Sequence, residues 1–182
     1  MENKFIKSNI QYGTKEVWEW ECLTPTVFYK EEIRKHMAEK EIVDAYLNAA
    51  ESIYVRFDKL NNPEKGLIKV MWSNQMCMPF LYMCRHTVEL AIKYKLKQNG
   101  IKYNKIHRLK ELWESLKENI KIENEEFNLL IETLNVIDDD GCKLRYAVDK
   151  NDNQYNDTPK FIKADLILKV TKEIHKYLTE II

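Results

Sequence analysis

The scarcity of chain-breaking residues is the feature that most limits what this chain can fold into. Its 182 residues include only four glycines and four prolines. Because a sheet of many strands needs frequent tight turns, which these two residues commonly form, their scarcity favours long helices joined by short connections. Apolar residues make up 45% of the sequence, which is enough to build a packed core in one domain of ordinary size.

Apolar residues recur at helical spacing in several segments. The first such segment spans residues 42–60, and its predicted apolar face comprises Ile42, Ala45, Tyr46, Ala49, Ile53 and Phe57. A second begins near Ser73 or Asn74, with Pro79 in its first turns or at a kink, and a further helix ends at Gly141. The last predicted helix lies near the C-terminus, and its apolar face comprises Leu166, Val170, Ile174, Leu178 and Ile181. The sequence therefore predicts an all-α domain, a bundle of four to five main helices over residues 41–182. Residues 1–40 are predicted to form an N-terminal arm that is irregular or a short helix.

Charge is balanced overall but unevenly distributed along the chain. The formal net charge is zero, so global charge gives no support to nucleic-acid binding. Residues 85–121, however, contain ten Lys or Arg and four acids, whereas residues 123–140 contain seven acids and no base. Either these are two solvated helix faces, or a basic surface serves an acidic ligand and faces the acidic surface across a dimer.

The cysteines show no pattern of a metal site or a disulfide framework. None of Cys22, Cys77, Cys84 and Cys142 forms a CxxC pair or lies near a histidine at zinc-like spacing. We expect small core residues and a reducing cytoplasm, with no metal and no cofactor. The N-terminus has no apolar leader, and no apolar run approaches the length of a membrane span.

The segment "FLYMCRHTVELAIKYKL", residues 80–96, is apolar yet carries an ordered set of ionisable side chains. At helical spacing Tyr82, His86, Glu89 and Lys93 share one edge, and Arg85 lies between that edge and the apolar face. Glu89 is within reach of His86 and Arg85 one turn before it and of Lys93 one turn after it. The stripe is either a self-satisfied ladder of ion pairs or the wall of a polar cleft or subunit interface.

His107 is the second histidine with a candidate role. It lies near the start of the next predicted helix, and the short preceding turn predicts an antiparallel neighbour. That arrangement would bring His107 near the Lys93 end of the stripe. The alternative is a histidine that only caps or packs the helix end. His36 and His175 receive no role.

Two motifs together resemble a known family. "MPFLYMCRHTVELAIKYKL" and the later "IHRLKELWESL" are similar to the R-H-x-x-E-L-x-x-K helix and the H-x-L-x-x-L-W helix of the HEPN superfamily. "LRYAVDKND" is similar to an R-Y-P-x-D-K segment of some bacterial members, with Ala147 in place of the proline. The resemblance covers residues 42–180.

The resemblance implies a helical bundle that is commonly a homodimer. Many members cleave RNA without metal, often as toxins or antiphage effectors, through an R-x(4–6)-H motif paired across the dimer. In this sequence no arginine is followed by histidine at that spacing. Three hypotheses follow: a module that binds RNA, a nucleotide or a partner protein in bacterial antiphage defence or a toxin–antitoxin-type system; a metal-independent endoribonuclease with a variant site; and a structural bundle with no ligand.

Candidate roles follow from the chemistry of RNA cleavage, which needs proton transfer and a cation for the phosphorane charge. His86 or His107 would transfer protons, and Glu89 would orient His86. Arg85, Lys93 or Arg145 would stabilise the charge. The predicted catalytic residues are thus Arg85, His86, Glu89 and His107, and the predicted ligand-binding residues are Lys93, Arg145 and Tyr146.

Overall fold

The computed structural model describes residues 39–60, 68–103, 106–146, 148–149, 151–155 and 162–180. Most of these residues belong to α-helices, which in chain order are α1 (Glu39–Leu60), α2 (Ile68–Gln98), α3 (Leu109–Asn119), α4 (Glu125–Ile137) and α5 (Ala164–Glu180). The predicted all-α helical bundle is therefore confirmed for this part of the chain. The arm predicted for residues 1–40 lies outside the described residues, apart from the first two residues of α1.

Helix α2 is the central element of the bundle. It packs against α1, α3 and α5, while α4 contacts α3 and α5, and α1 contacts α5. Since neighbours cover α2 on several sides, an ionisable residue on a covered side of this helix is buried and needs a partner. Within the described ranges no helix is long and apolar enough to cross a membrane.

The core forms where the apolar stripes of the helices meet. Trp113 on α3 is 1% exposed, and its indole Nε1 donates a hydrogen bond to Asn128 Oδ1 on α4 at 2.8 Å. A large buried side chain of this kind typically contributes about 1.5–3 kcal/mol through burial alone. Cys84 is fully buried as predicted, and burial raises the pKa of its thiol to about 12. Cys77 is partly buried, and Cys22 lies outside the described residues.

Helix α2 begins earlier than the sequence predicts. It starts at Ile68, so Pro79 lies inside the helix and not in its first turns. A proline at that position removes one backbone hydrogen bond to the carbonyl of Gln75. Both Gln75 and Pro79 are exposed, which leaves the freed carbonyl on the solvent side of the helix.

Helix α4 ends earlier than predicted, at Ile137 and not at Gly141. Its C-terminal cap is Asp138, whose carboxylate accepts hydrogen bonds from the backbone N–H groups of Lys143 at 3.2 Å and Leu144 at 3.4 Å. The chain after α4 therefore folds back as a tight turn around a buried carboxylate. The predicted long loop follows, and within it Val148 and Gln154 form an isolated antiparallel bridge.

Two residues assigned to apolar helix faces prove to be exposed. Ala45 on α1 faces solvent while Val43 and Ala50 are buried, and Leu166 on α5 is 42% exposed while Ile167 is buried. Leu166 lies in the first turn of α5, whereas Val170, Ile174 and Leu178 of the same predicted face are buried as predicted. Ile181, also assigned to the α5 face, lies outside the described residues.

Candidate functional site

Arg85 is buried at the centre of the polar stripe on α2, with 1% of its surface exposed. Its Nε donates to the carbonyl of Asp138 at 2.8 Å, and its Nη2 donates to the carbonyls of His107 and of Asp139, the latter at 3.4 Å. Its Nη1 donates to Glu89 Oε2 at 2.9 Å. Since these contacts use four of its five N–H groups, Arg85 ties α2 to the segment before α3 and to the end of α4.

The burial of Arg85 does not fit the predicted direct contact with a phosphate. Its guanidinium is enclosed by main chain, including Gly141, where a Cβ would lie 3.0 Å from Arg85 Nη1. Gly141 also has a φ of +81°, a conformation that side chains rarely adopt. Arg85 is therefore placed to position its neighbours, and Gly141 allows the chain to close over it.

Glu89 accepts the hydrogen bonds that join the charged residues of the stripe. Its carboxylate is 1% exposed; Oε1 accepts from Lys93 Nζ at 2.7 Å and from His107 Nδ1 at 2.8 Å, while Oε2 accepts from Arg85. Burial alone would raise the pKa of Glu89, but the hydrogen bonds and charges of Lys93, His107 and Arg85 outweigh it and hold that pKa below its usual value. Glu89 is thus a buried, ionised carboxylate.

His107 shares this carboxylate but is presented to solvent. Its side chain is 59% exposed, and it precedes Arg108, the N-cap residue of α3. Because an ionised carboxylate only accepts hydrogen bonds, the contact assigns the proton to Nδ1 and leaves Nε2 as the free acceptor of the neutral ring. The structure thus brings His107 to the stripe, as the short connection predicted.

The partner of Glu89 differs from the predicted one. We expected Glu89 to orient His86, but among the described residues its hydrogen bonds go to Arg85, Lys93 and His107. The short segment before α3 brings His107 next to α2. Its Nδ1 therefore occupies the position at the Glu89 carboxylate that we expected His86 to take. Glu89 therefore orients His107 and not His86.

His86 instead lies among aromatic rings. Its ring stacks on Tyr82, with centroids 5.5 Å apart, and the edge of Tyr46 from α1 meets it at 4.4 Å. Burial lowers the pKa of His86; Glu89 opposes that shift, while the positive charges of Arg85, Lys93 and Arg145 add to it. His86 is therefore neutral near pH 7.

Arg145 and Tyr146 follow the turn after α4 and are both exposed. The guanidinium carbon of Arg145 lies 5.8 Å from the ring centroid of Tyr82 and 5.3 Å from that of Tyr146. Its Nε donates to the carbonyl of Gly141, which anchors the side chain in this position. Burial raises the pKa of Tyr82 despite the nearby Arg145 charge, so its hydroxyl stays protonated. The result is an exposed cation resting on two aromatic rings.

The predicted site residues thus separate into two layers. Arg85 and Glu89 form a layer without solvent access, referred to below as the buried hub. The exposed rim comprises the side chains that solvent reaches, which are Lys93, His107, Arg145 and Tyr146. The two layers are contiguous, because Glu89 of the hub accepts hydrogen bonds from Lys93 and His107 of the rim.

Three consecutive acids, Asp138, Asp139 and Asp140, also lie at this end of α4, with carboxylate oxygens within 4.8 Å of one another. Backbone contacts account for two of them: Asp138 caps the turn, and Asp140 Oδ1 accepts from the N–H of Cys142 at 2.9 Å. We assign no metal to this group, and the absence of a metal stays a prediction.

Sequence reasoning missed two contributions. Tyr46 of α1 was assigned to an apolar face, yet it meets His86 edge-on. His175 of α5 received no role, yet it is 7% exposed and its Nε2 lies 2.7 Å from Asp44 Oδ1 of α1. The available signal for His175 was its position directly after Ile174, beside the apolar stripe of α5.

Comparison with known proteins identifies the family to which the chain belongs. The family model described as the HEPN domain matches residues 70–182, which include α2 to α5 almost entirely and every residue of the hub and the rim. Helix α1, which supplies Tyr46, precedes the matched range. Neither the curated proteins nor the solved structures include a match to this chain. Since the matched residues make up more than half of the sequence, the chain belongs to the HEPN domain family.

Proposed function

We propose that this domain binds RNA or a nucleotide through the exposed rim. The observation that carries the proposal is the exposed guanidinium of Arg145 resting on the rings of Tyr82 and Tyr146. Arginine suits bidentate contact with phosphate, and an exposed tyrosine ring is a surface on which a base stacks. Phosphate and base are the two groups that RNA and a nucleotide share.

The rest of the rim supports the same chemistry. Lys93 is 18% exposed and held by Glu89, and His107 lies on the other side of the same carboxylate oxygen. Inside the site Glu89 is opposed by Arg85 and Lys93, and Asp138 also pairs with Arg85 at 3.8 Å, so Arg85 is neutralised within the fold. The cations that solvent reaches are Lys93 and Arg145, and these two would contact a phosphate although the whole chain is neutral.

Binding is tested by fluorescence anisotropy with labelled single-stranded and hairpin RNA and with labelled ATP. We expect affinity that falls as salt rises, because phosphate contacts release counterions. Arg145→Ala and Tyr146→Ala should each weaken binding by about tenfold, the order of one stacking or charged contact. Arg56→Ala is the matched control, since Arg56 is exposed on α1 outside the rim. Equal affinities for Arg145→Ala and the wild type would contradict the proposal.

A second candidate function is metal-independent RNA cleavage, and one observation favours it. Glu89 accepts a hydrogen bond from Nδ1 of His107, whose side chain is 59% exposed, so Nε2 would be available to act as a general base. Nε2 would take the proton of the 2′-hydroxyl while its oxygen bonds to phosphorus. The bond from phosphorus to the 5′-oxygen then breaks, and that oxygen takes up a proton from His107 or solvent. The products are a 2′,3′-cyclic phosphate and a 5′-hydroxyl, with Lys93 and Arg145 stabilising the phosphorane.

Cleavage is tested by incubating RNA with the protein in EDTA and identifying the new ends. The second candidate predicts cyclic phosphate ends that EDTA does not suppress and that His107→Ala abolishes. Lys110→Ala, an exposed substitution near the start of α3, is the control. Cleavage that persists in His107→Ala would contradict this mechanism. Salt-sensitive RNA binding without cleavage would support the binding module. The absence of both binding and cleavage would support a structural bundle with no ligand.

The cellular role that the resemblance implies stays a prediction. It is a part in bacterial antiphage defence or a toxin–antitoxin-type system, with a homodimer and a partner protein. Induced expression in a bacterial host should arrest growth if the chain is a toxin, and Arg145→Ala or His107→Ala should relieve that arrest. If both variants still arrest growth, the toxicity does not depend on the exposed rim.

A further inference from the structure

A groove lies between α3 and the connection that joins α2 to α3, and most of its lining belongs to neither the hub nor the rim. Its volume is about 310 Å³. Three residues of the connection and three of α3 line it, and these are Lys102, Tyr103, Ile106, Glu111, Leu112 and Ser115. Because ligand pockets in proteins begin at about 300 Å³, the groove has room for one group of the size of a nucleoside.

The groove adjoins His107 of the rim. Ile106, which lines the groove, directly precedes His107, so their Cα atoms are about 3.8 Å apart. Glu111, which lines the opposite side, follows His107 by about one turn. The side chain of His107 is 59% exposed and is held by Glu89 of the hub. The rim and the groove therefore meet at His107.

The lining offers the contacts that a stacked base needs. Tyr103 is partly buried against the core, which restrains its ring, and Ile106 and Leu112 supply apolar surface. Within the described ranges the hydroxyls of Tyr103 and Ser115 make no hydrogen bond, so both are available to the polar edge of a base. Proteins commonly hold an unpaired base of single-stranded RNA by an aromatic ring together with such polar groups.

The charged residues of the groove suit a ribonucleotide. Lys102 is exposed and has no ion-pair partner in the part of the chain that the structure describes, so it is available to a phosphate. Glu111 pairs with Arg108 at 2.9 Å through one carboxylate oxygen, which offsets its charge. The other oxygen can accept a hydrogen bond from a ribose hydroxyl. Since DNA lacks the 2′-hydroxyl, this contact would favour RNA.

We propose that the groove holds one nucleoside of single-stranded RNA while the adjoining nucleotide lies on the rim. The proposal rests on the proposed function, in which Arg145 and Tyr146 bind the phosphate and base of one nucleotide. The strand then passes His107, and the next base enters the groove beside Tyr103. The ligand is therefore an oligonucleotide of at least two nucleotides, and a mononucleotide uses only one of the two sites.

Competition against a labelled single-stranded RNA tests the two sites on the full chain. The competitors are unlabelled adenylate and uridylate mono-, di- and tetranucleotides. For the wild type, the di- and tetranucleotides should bind more tightly than the mononucleotide by about tenfold or more, the order of one further stacked base. Equal affinities for the three lengths would overturn the proposal.

Two kinds of variant test the groove itself. Ser115→Trp fills it with an indole and should remove the length advantage while leaving mononucleotide affinity unchanged. Tyr103→Leu keeps an apolar side chain but removes the ring and should do the same, whereas Tyr103→Phe should keep most of the advantage. Ser52→Trp is the matched control, because Ser52 is exposed on α1 and lines neither the groove nor the rim. Circular dichroism and thermal melting establish that each variant is folded. Folded variants Ser115→Trp and Tyr103→Leu that bind the tetranucleotide as the wild type does would overturn the proposal.

Comparison of RNA with DNA of the same sequence tests the ribose contact. The wild type should prefer RNA, and Glu111→Ala should reduce the ratio of the two affinities. Glu114→Ala is the control, since Glu114 is an exposed acid of α3 outside the groove. A wild type that binds both strands equally would overturn the assignment of the groove to a ribonucleoside.

The same measurements distinguish this proposal from the proposed function of the rim. Arg145→Ala should weaken the binding of mononucleotide and tetranucleotide alike, whereas Ser115→Trp should weaken only that of the tetranucleotide. If only Arg145→Ala has its expected effect, the rim binds RNA and the groove does not. If only Ser115→Trp has its expected effect, the groove binds RNA and the assignment of the adjoining nucleotide to the rim is wrong. The absence of any RNA or nucleotide binding would overturn both proposals.

Discussion

Two carboxylate–histidine pairs in this bundle have the same hydrogen bond and opposite burial. Glu89 and His107 are joined at 2.8 Å, with a carboxylate that is 1% exposed and an imidazole that is 59% exposed. Asp44 and His175 are joined at 2.7 Å, with a carboxylate that is 40% exposed and an imidazole that is 9% exposed. Only the first pair presents its histidine to solvent. The second pair braces α1 against α5.

The two carboxylates also need different numbers of hydrogen-bond donors, because they differ in burial. A buried carboxylate is costly unless several donors compensate for lost water, and Glu89 has three. Asp44 remains partly hydrated, so one contact with His175 suffices. A histidine paired with a carboxylate is therefore a site candidate when the carboxylate is the buried partner and the imidazole is the open one. The following predictions test that distinction.

The largest effect is expected for Arg85→Met, which removes the cation of the buried hub. Glu89 would keep Lys93 and His107 but lose its most buried partner, and several main-chain carbonyls would lose their donor. Breaking a buried pair from one side typically costs about 3–5 kcal/mol. Urea unfolding of the variant and the wild type measures the difference. Arg108→Met should stay close to the wild type, because the Arg108–Glu111 pair is exposed. A similar change in both variants would show that the hub is not structural.

The second effect separates the two histidines. His175→Ala should lower the free energy of unfolding by about 2 kcal/mol, through a lost hydrogen bond and a small cavity, and leave RNA affinity unchanged. His107→Ala should have a smaller effect on stability, since its ring is exposed, and should weaken or abolish the activity of the rim. Urea unfolding and RNA-binding measurements on both variants and the wild type test this expectation. The distinction fails if His107→Ala is the more destabilising substitution.

The third effect is a pH dependence that arises from His86, which belongs to neither pair. Its folded pKa is lower than its unfolded value of about 6.5, so below that pH the unfolded state binds a proton that the folded state resists. Stability should therefore be complete above pH 6.5 and decline as the pH falls from there towards the folded pKa. Unfolding of the wild type and His86→Phe between pH 7.5 and 5.5 measures this, and the variant should show a shallower decline. Equal slopes would assign the dependence to other groups.

The helices and the polar stripe of α2 could be predicted from the spacing of residues in the sequence. The enclosure of Arg85 could not, because it depends on the geometry of the turn after α4. Helical spacing placed Glu89 and Lys93 on one edge of α2, and the short connection placed His107 near them. Nothing in the local pattern indicated that Arg85 would be enclosed by carbonyls 53 and 54 residues later in the chain. That enclosure depends on α4 ending at Ile137 and on Gly141 turning over the guanidinium. Spacing along one helix predicts which residues share an edge, but not which neighbouring element will cover them.

The smallest effect is expected for Asp44→Asn, and it gives the finest test of the comparison. An amide has the shape of the carboxylate and retains an oxygen that accepts from a histidine N–H. Because Asp44 is partly hydrated, losing its charge should change the free energy of unfolding by only about 0.5 kcal/mol or less. Glu89→Gln makes the same exchange in the buried hub and leaves Arg85 and Lys93 facing a neutral group, so its cost should be several times larger. Urea unfolding of both variants at one pH measures the ratio. Equal costs would mean that burial of the carboxylate does not distinguish the pairs, and His107 would then have no better claim than His175 to a functional role.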